Sequence, residues 1–143
     1  MLKGISPILP PELLKILMEM GHGDELVIGD GNFPAASCAA DSRLVRCDGH
    51  GVPEILDAIL ALCPLDQYVE KPLALMQTTN GDPTPSIWTD YERIAAKHEP
   101  DNHKFELVER FAFYERAKKA YAIVASGETA VYANVIIKKG VVK

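Results

Sequence analysis

The 143-residue sequence lacks the features that mark membrane-bound and secreted proteins. No apolar run approaches the roughly 20 residues needed to span a bilayer, and no long apolar segment near the N-terminus suggests a signal peptide. The three cysteines, Cys38, Cys47 and Cys63, form no CxxC pair and leave one over. This pattern is typical of reduced thiols rather than of a disulfide framework. We therefore expect a cytoplasmic protein that is soluble and has no membrane partner.

The sequence also lacks clustered positive charge and the common motifs of cofactor and metal sites. It has 15 Lys and Arg against 20 Asp and Glu, with a net charge of -5, which argues against a nucleic-acid partner. It contains no GxGxxG, GxxxxGK[ST] or GxSxG motif, and none of its histidines has a partner at HxxxH or HExxH spacing. We therefore expect no nucleotide site, no metal and no serine nucleophile.

The sequence does contain alternating helix and strand patterns along its whole length, which indicate the α/β class. We find no repeat and no linker that would divide the chain, so we expect a single domain over residues 1–143. Gly21 is expected to end the first helix and Ser86 to cap the third, while 29–37 is expected to be a loop. The predicted helices are 11–20, 52–62, 87–97 and 110–119; the predicted strands are 25–28, 44–47, 73–77, 105–108, 120–125 and 135–137.

His22 lies between two glycines in the stretch MGHGD, directly after the first predicted helix. An imidazole exchanges protons near neutral pH, and loops often carry catalytic groups. A histidine beside a helix C-terminus that only favours the helix dipole fits this stretch equally well. The local sequence leaves both interpretations open.

Asp30 follows the predicted strand 25–28, and α/β folds usually bind ligands at the carboxyl ends of strands. A turn residue whose side chain bonds its own backbone is the plainer alternative. His22 and Asp30 would be about 26 Å apart in a fully extended chain. The two can serve one pocket only if the flanking loops fold inward or if different subunits supply them.

Two further segments carry side chains suited to binding a polyol. Arg110 begins the aromatic-rich RFAFYER, and a guanidinium beside aromatic faces suits a sugar; alternatively, the phenylalanines are core and Arg110 and Arg116 are solvated. Tyr132 and Asn134 are two residues apart in VYANVIIKKG, so an extended backbone would point both to one face. That face is either a hydrogen-bonding platform or simply a strand edge.

Four segments together resemble the RbsD/FucU family of sugar mutarotases over almost the whole chain: MGHGD, GDGNFPAAS, RFAFYERAKKA and SGETAVYANVIIKKGV. The resemblance is to the L-fucose mutarotase branch, because an arginine stands at position 110, where the ribose branch tends to have histidine. It implies an α/β domain of the RbsD-like type, with a mixed sheet and flanking helices. It also implies a cofactor-free isomerase that forms a homo-oligomeric ring, commonly a decamer, with sites at subunit contacts.

The resemblance also implies roles for individual residues. His22 matches the proton donor, and a monosaccharide would be bound at Asp30, Arg110, Tyr132, Asn134, the main chain of Ala133 and, in similar segments, Asp48 and Tyr114. One loop departs from the fucose branch, since Asn32 and Ala36 stand where histidines are expected. We predict a mutarotase that interconverts the anomers of L-fucose. The alternatives are a D-ribose pyranase-like activity, a sugar-binding accessory protein without turnover, and a structural ring-forming subunit.

Overall fold

Six strands form one mixed sheet with helices on both of its faces, in a computed structural model that describes residues 1–143. The predicted α/β class with a mixed sheet is confirmed. No helix is long and apolar enough to cross a membrane. The elements are α1 (Pro11–Glu19), β1 (Glu25–Gly29), α2 (Ala35–Cys38), β2 (Leu44–Cys47), α3 (Val52–Leu60), β3 (Leu73–Met76), α4 (Ile87–His98), β4 (Phe105–Val108), α5 (Arg110–Lys118), β5 (Ala122–Ser126) and β6 (Val135–Lys138).

The strand order is β2-β5-β1-β6-β3-β4, and only β6 runs against its neighbours. β2, β5 and β1 pair in parallel, as do β3 and β4, whereas β6 pairs antiparallel with both β1 and β3. The carboxyl ends of the five other strands therefore lie along one edge of the sheet. The segment that leads into β6 returns to that same edge.

Alternating side chains along the strands build two cores, one on each face of the sheet. In β1, Leu26 and Ile28 belong to the larger core, which packs against α1, α3 and α4. Val27, between them, belongs to the smaller core, which packs against α2 and α5. Because β1 is buried on both faces, it is a continuous apolar run rather than an alternating one.

Two local predictions were wrong, and a third is confirmed in position but not in backbone conformation. Residues 35–37 lie in the single helical turn α2 rather than in a loop, since one turn is too short to show helical periodicity. The side chain of Ser86 makes no capping hydrogen bond to α4. Helix α1 ends at Glu19 with Met20 as its C-cap, so Gly21 stands at the predicted C′ position, whereas the left-handed backbone conformation lies at Gly23 (φ 86°).

Candidate functional site

A cavity of about 340 Å³ opens at the sheet edge where β1, β3 and β4 end and β6 begins. Its volume falls in the range of small-molecule sites. The structure brings five of the predicted site residues together in its lining, although they come from distant parts of the sequence. These residues are Asp30, Arg110, Tyr114, Tyr132 and Asn134.

Asp30 is a buried carboxylate that is held by backbone N–H groups at the end of β1. Its Oδ1 accepts a hydrogen bond from the Asn32 N–H at 2.9 Å, and its Oδ2 accepts one from the Ala133 N–H at 3.3 Å. Burial raises the pKa of Asp30 above its ordinary value, although these N–H groups act in the opposite direction. Asn32 itself lines the cavity, whereas Ala36 lies on the neighbouring cavity described below.

Asn134 is oriented by a hydrogen bond from the backbone of Asp30. Its Oδ1 accepts the Asp30 N–H at 2.8 Å, so its amide NH₂ group is left to donate toward the cavity. Ala133, between Tyr132 and Asn134, is buried and does not line the cavity. Its carbonyl accepts the Tyr91 hydroxyl at 2.7 Å, and its N–H is committed to Asp30. Ala133 therefore acts on the site through Asp30.

Tyr132 adopts a left-handed backbone conformation with φ 54°, which is uncommon for a bulky residue. The prediction of an extended backbone here was therefore wrong, although Tyr132 and Asn134 do line the same cavity. α4 supports this conformation, since Trp88 Nε1 donates to the Tyr132 carbonyl at 2.8 Å, one residue before the Ala133 carbonyl held by Tyr91. Strain of this kind persists only where the surroundings fix it.

α5 places Arg110 at the cavity because the helix starts there. Glu109 caps α5 by accepting the N–H groups of Phe111 and Ala112, both at 3.0 Å. Arg110 then lies in the first turn, and its Nε donates to the hydroxyl of Tyr114, one turn later, at 3.2 Å. The two phenylalanines of the segment differ, because Phe113 is fully buried whereas Phe111 is 65% exposed.

His22 lies at the opposite edge of the sheet, beyond the amino end of β1, and does not line the cavity. Its turn is tied to the far end of β6 by the Gly23 N–H, which donates to the Lys139 carbonyl at 2.8 Å. With β1 between them, His22 and Asp30 of one chain cannot meet in one pocket. The loops do not fold inward, so one chain alone does not bring the two residues together.

Asp66 is a partner of His22 that the sequence patterns did not reveal. Its Oδ1 lies 3.0 Å from His22 Nε2 and also accepts the Tyr68 N–H at 3.0 Å. Burial disfavours the charged form of Asp66, but these two hydrogen bonds outweigh it and lower its pKa. As an ionised carboxylate can only accept, the hydrogen of this bond belongs to His22 Nε2, and Nδ1 has no hydrogen-bond partner within the chain.

Asp48 lies apart from the cavity. It follows β2 and is exposed, and its carboxylate forms a bidentate ion pair with Arg46 at 2.7 and 2.9 Å. Both residues line a second, smaller cavity of about 200 Å³, which adjoins the first one at Asp30 and Phe33. No group of three or more His, Cys, Asp or Glu side chains is placed to hold a metal ion.

Comparison with known proteins identifies the family. A model of the RbsD / FucU transport protein family matches residues 3–142. The chain belongs to the RbsD/FucU family. The family resemblance predicted from the four segments is thus confirmed. An RbsD/FucU relative named L-fucose mutarotase, from Actinobacillus pleuropneumoniae serotype 5b, is 56% identical over 99% of this chain and 97% of its own length. The human fucose mutarotase is 50% identical over 98% of this chain and 94% of its own length.

Solved structures of the RbsD/FucU family have the same fold. The fucose mutarotase of Streptococcus pneumoniae in complex with L-fucose superposes with a TM-score of 0.94 at 53% identity, covering 99% of this chain and 100% of that one. The Bacillus subtilis RbsD complexed with D-ribose superposes with a TM-score of 0.75 over 100% of both chains, at 20% identity. The second comparison supports the fold alone.

Proposed function

We propose that this chain is a mutarotase that interconverts the α and β anomers of L-fucose. The observation that carries the proposal is the cavity itself, in which a buried carboxylate, a guanidinium, a phenol and an amide converge from three separate segments of the chain. Relatives named as fucose mutarotases are 50–56% identical to this chain over nearly its full length. The solved structure with L-fucose bound, at 53% identity, supports the choice of sugar.

The charges of the cavity favour a neutral sugar. Its lining contains two carboxylates, Asp30 and Asp82, and one guanidinium, Arg110. A phosphorylated sugar or a sugar acid would bring further negative charge to this net negative site, which Coulomb repulsion disfavours. A neutral polyol instead satisfies carboxylates, guanidinium and amide through its hydroxyl groups.

Mutarotation opens a cyclic hemiacetal and closes it on the other face of the anomeric carbon. Opening requires a proton delivered to the ring oxygen and a proton removed from the anomeric hydroxyl. In our proposal His22 exchanges one of these protons through Nδ1 and solvent water exchanges the other, while Asp66 fixes the ring orientation and tautomer of His22. Asp30 and Arg110 orient hydroxyls, Tyr132 and Asn134 hold the ring, and Tyr114 completes the pocket. One positioned acid–base group contributes on the order of 10²- to 10⁴-fold.

We further propose that His22 of one copy serves the cavity of another. The two half-sites lie on different faces of the chain, so their contact is heterologous, and such contacts form a ring when the rotation from copy to copy closes on itself. Large apolar side chains are exposed beside both half-sites: Tyr68 (67%) beside His22, Val131 (59%) in the cavity lining, and Phe111 (65%) against Tyr114 of that lining. A contact between these faces would cover them.

The ring is expected to be a homodecamer, which light scattering would detect as about ten times the 15.7 kDa chain mass. The three cysteines are all free thiols, which supports placing the protein in a reducing compartment such as the cytoplasm. Asp48 is a proposed sugar contact from the second cavity, which adjoins the first at Asp30 and Phe33.

Saturation-transfer NMR tests the proposed function directly, since it measures the exchange between the two anomers of a dissolved sugar. L-fucose, D-ribose and related sugars are compared with and without the protein. We expect the largest acceleration for L-fucose and its loss in His22→Ala. Sugar binding without acceleration would instead favour an accessory protein, and a wild-type rate in His22→Ala would remove the role given to His22.

A further inference from the structure

The turn Thr79–Asp82, which lies between β3 and α4, forms one wall of the cavity. Its central residues, Asn80 (φ 55°) and Gly81 (φ 72°), both have positive φ, and the Asp82 N–H closes the turn on the Thr79 carbonyl at 3.0 Å. Asn-Gly with two left-handed residues is the signature of a tight type I′ turn. The side chains of Thr79 and Asp82 are thus held close together at its two ends.

Both ends of this turn bind the phenol of Tyr132. The Tyr132 hydroxyl donates to Asp82 Oδ2 at 2.6 Å. The Tyr132 hydroxyl oxygen also accepts the Thr79 N–H at 3.3 Å and lies 3.0 Å from Thr79 Oγ1. A phenol has one hydrogen and two acceptor positions, so these three contacts use its full capacity. Tyr132 can therefore offer a sugar the surface of its ring but no hydrogen bond from its hydroxyl.

Asp82 is the residue of this wall that can form a hydrogen bond with a sugar. Its Oδ2 is committed to Tyr132, whereas its Oδ1 has no hydrogen-bond partner within the chain although Asp82 lines the cavity. The other carboxylate, Asp30, accepts an N–H on each oxygen, which leaves each oxygen only one further acceptor position. The free groups of Arg110 and Asn134 can only donate. Asp82 Oδ1 is thus a charged acceptor that is available to a hydroxyl which must itself donate.

We propose that Asp82 is a specificity-determining residue, which accepts a hydrogen bond from one sugar hydroxyl through Oδ1 and positions the Tyr132 ring through Oδ2. This inference rests on the proposed function for its choice of sugars. A site that hydrogen-bonds a substrate hydroxyl discriminates strongly against analogues that lack it, and a charged acceptor strengthens this effect. Asp82 would therefore decide which epimers and deoxy sugars the cavity accepts.

The test combines removal of the Asp82 carboxylate with removal of each sugar hydroxyl in turn. Affinity is measured for L-fucose and for its three analogues that lack the hydroxyl at C2, C3 or C4, in the wild type and in Asp82→Ala. The fluorescence of Trp88, the only tryptophan of the chain and bonded to the Tyr132 carbonyl, reports binding without turnover. Anomer exchange is recorded on the same samples by NMR.

In the wild type, we expect one analogue to bind about 10-fold more weakly than L-fucose. In Asp82→Ala, L-fucose should weaken by a similar factor, and its advantage over that one analogue should fall below about twofold. The other two analogues should keep their wild-type ratios to L-fucose. Ratios unchanged for all three analogues, or no binding of any of these sugars, would overturn the proposal.

Three variants make the result specific. Thr79→Val loosens Tyr132 but keeps Asp82, so it should weaken all sugars alike and preserve the contrast between them. Asp101→Ala, at an exposed aspartate away from the cavity, should change nothing. If Asp82→Ala melts well below the wild type, Asp82→Asn replaces it, since its amide oxygen can still hold Tyr132 while the second acceptor is lost. Binding with this contrast but without faster anomer exchange would contradict the proposed function and leave the role of Asp82 intact.

Discussion

At the scale of single residues, the pairing of His22 with a buried carboxylate is the feature with the clearest consequence for catalysis. Asp66→Ala removes the group that fixes the imidazole at 3.0 Å. We expect kcat for L-fucose exchange to fall about tenfold or more, because the acid–base group loses its orientation and tautomer. KM should change by less than about twofold, since Asp66 contacts His22 and not the sugar. Saturation-transfer NMR at several sugar concentrations separates the two constants.

The chain offers a matched control for this variant. Asp57 forms a similar pair with His98 at 2.7 Å, on the helices α3 and α4 and away from the cavity. Asp57→Ala should therefore leave anomer exchange unchanged. If both variants lose exchange to the same extent, or if Asp66→Ala keeps the wild-type kcat, Asp66 does not position His22.

The raised pKa of Asp30 gives a second prediction, in which binding and stability respond to pH in opposite directions. Burial raises the pKa of Asp30 above the about 3.9 of an exposed aspartate. Below that value Asp30 is protonated in both states, and the folded state binds the proton more tightly than the unfolded state. As pH rises through the folded pKa, this proton is released, and the contribution of Asp30 to the unfolding free energy declines. Over the same window the ionised carboxylate becomes available to sugar hydroxyls, so L-fucose affinity rises.

Asp30→Asn removes the titrating group and serves as the comparison. Thermal melting and Trp88 fluorescence titrations with L-fucose are recorded for both proteins between about pH 4 and pH 7. The difference between wild type and variant should show both trends over the same pH range. A wild-type melting temperature that rises with pH more steeply than that of the variant would contradict the expected decline in stability.

Tyr91 supports the site through a buried hydrogen bond to the backbone between Tyr132 and Asn134. It is fully buried, and its hydroxyl donates to the Ala133 carbonyl at 2.7 Å. Tyr91→Phe leaves that buried carbonyl without a partner, so we expect a loss of about 1–3 kcal/mol in unfolding free energy together with weaker L-fucose binding. Tyr121→Phe, which removes an exposed contact to Glu19, should change neither quantity appreciably. Urea unfolding of the two variants makes the comparison, and equal losses would contradict it.

At the scale of elements, the cap of α5 sets the position of Arg110. Glu109→Ala removes the carboxylate that accepts two N–H groups of the first turn, where a cap is most effective. We expect a lower melting temperature and a higher KM for L-fucose. Glu115→Ala on the same helix, which removes only an exposed pair with Lys118, should leave both near wild type. Equal KM values for the two variants would argue against the cap.

The elements themselves follow from local patterns, whereas the contacts between them do not. Short apolar runs bounded by polar residues predicted β2 and β4 with the bounds that the structure has. The same logic placed Asp30 at the end of a strand. Asp66 and Asp82 could not be predicted in this way, because each meets its partner only through the strand order β1-β6-β3. No periodic signal in a single sequence encodes that order.

At the scale of the whole molecule, the two edges of the sheet carry the two halves of the proposed site. The resemblance to the RbsD/FucU family predicted both halves from the sequence, and the separation of His22 from Asp30 raised the question of which copies supply them. The structure places these residues beyond opposite ends of β1. In the proposed function, a heterologous contact joins the two edges from neighbouring copies, so that the chemistry would depend on the assembly.

Co-assembly of two inactive variants is the measurement that tests this central claim most directly. His22→Ala and Asp30→Asn are each expected to be inactive in L-fucose anomer exchange. When the two are co-expressed in equal amounts and purified together, about one quarter of the contacts should combine an intact His22 with an intact cavity. We predict that saturation-transfer NMR will find about one quarter of the wild-type exchange rate in this mixture. Exchange no faster than in the separate variants would contradict a site shared between copies.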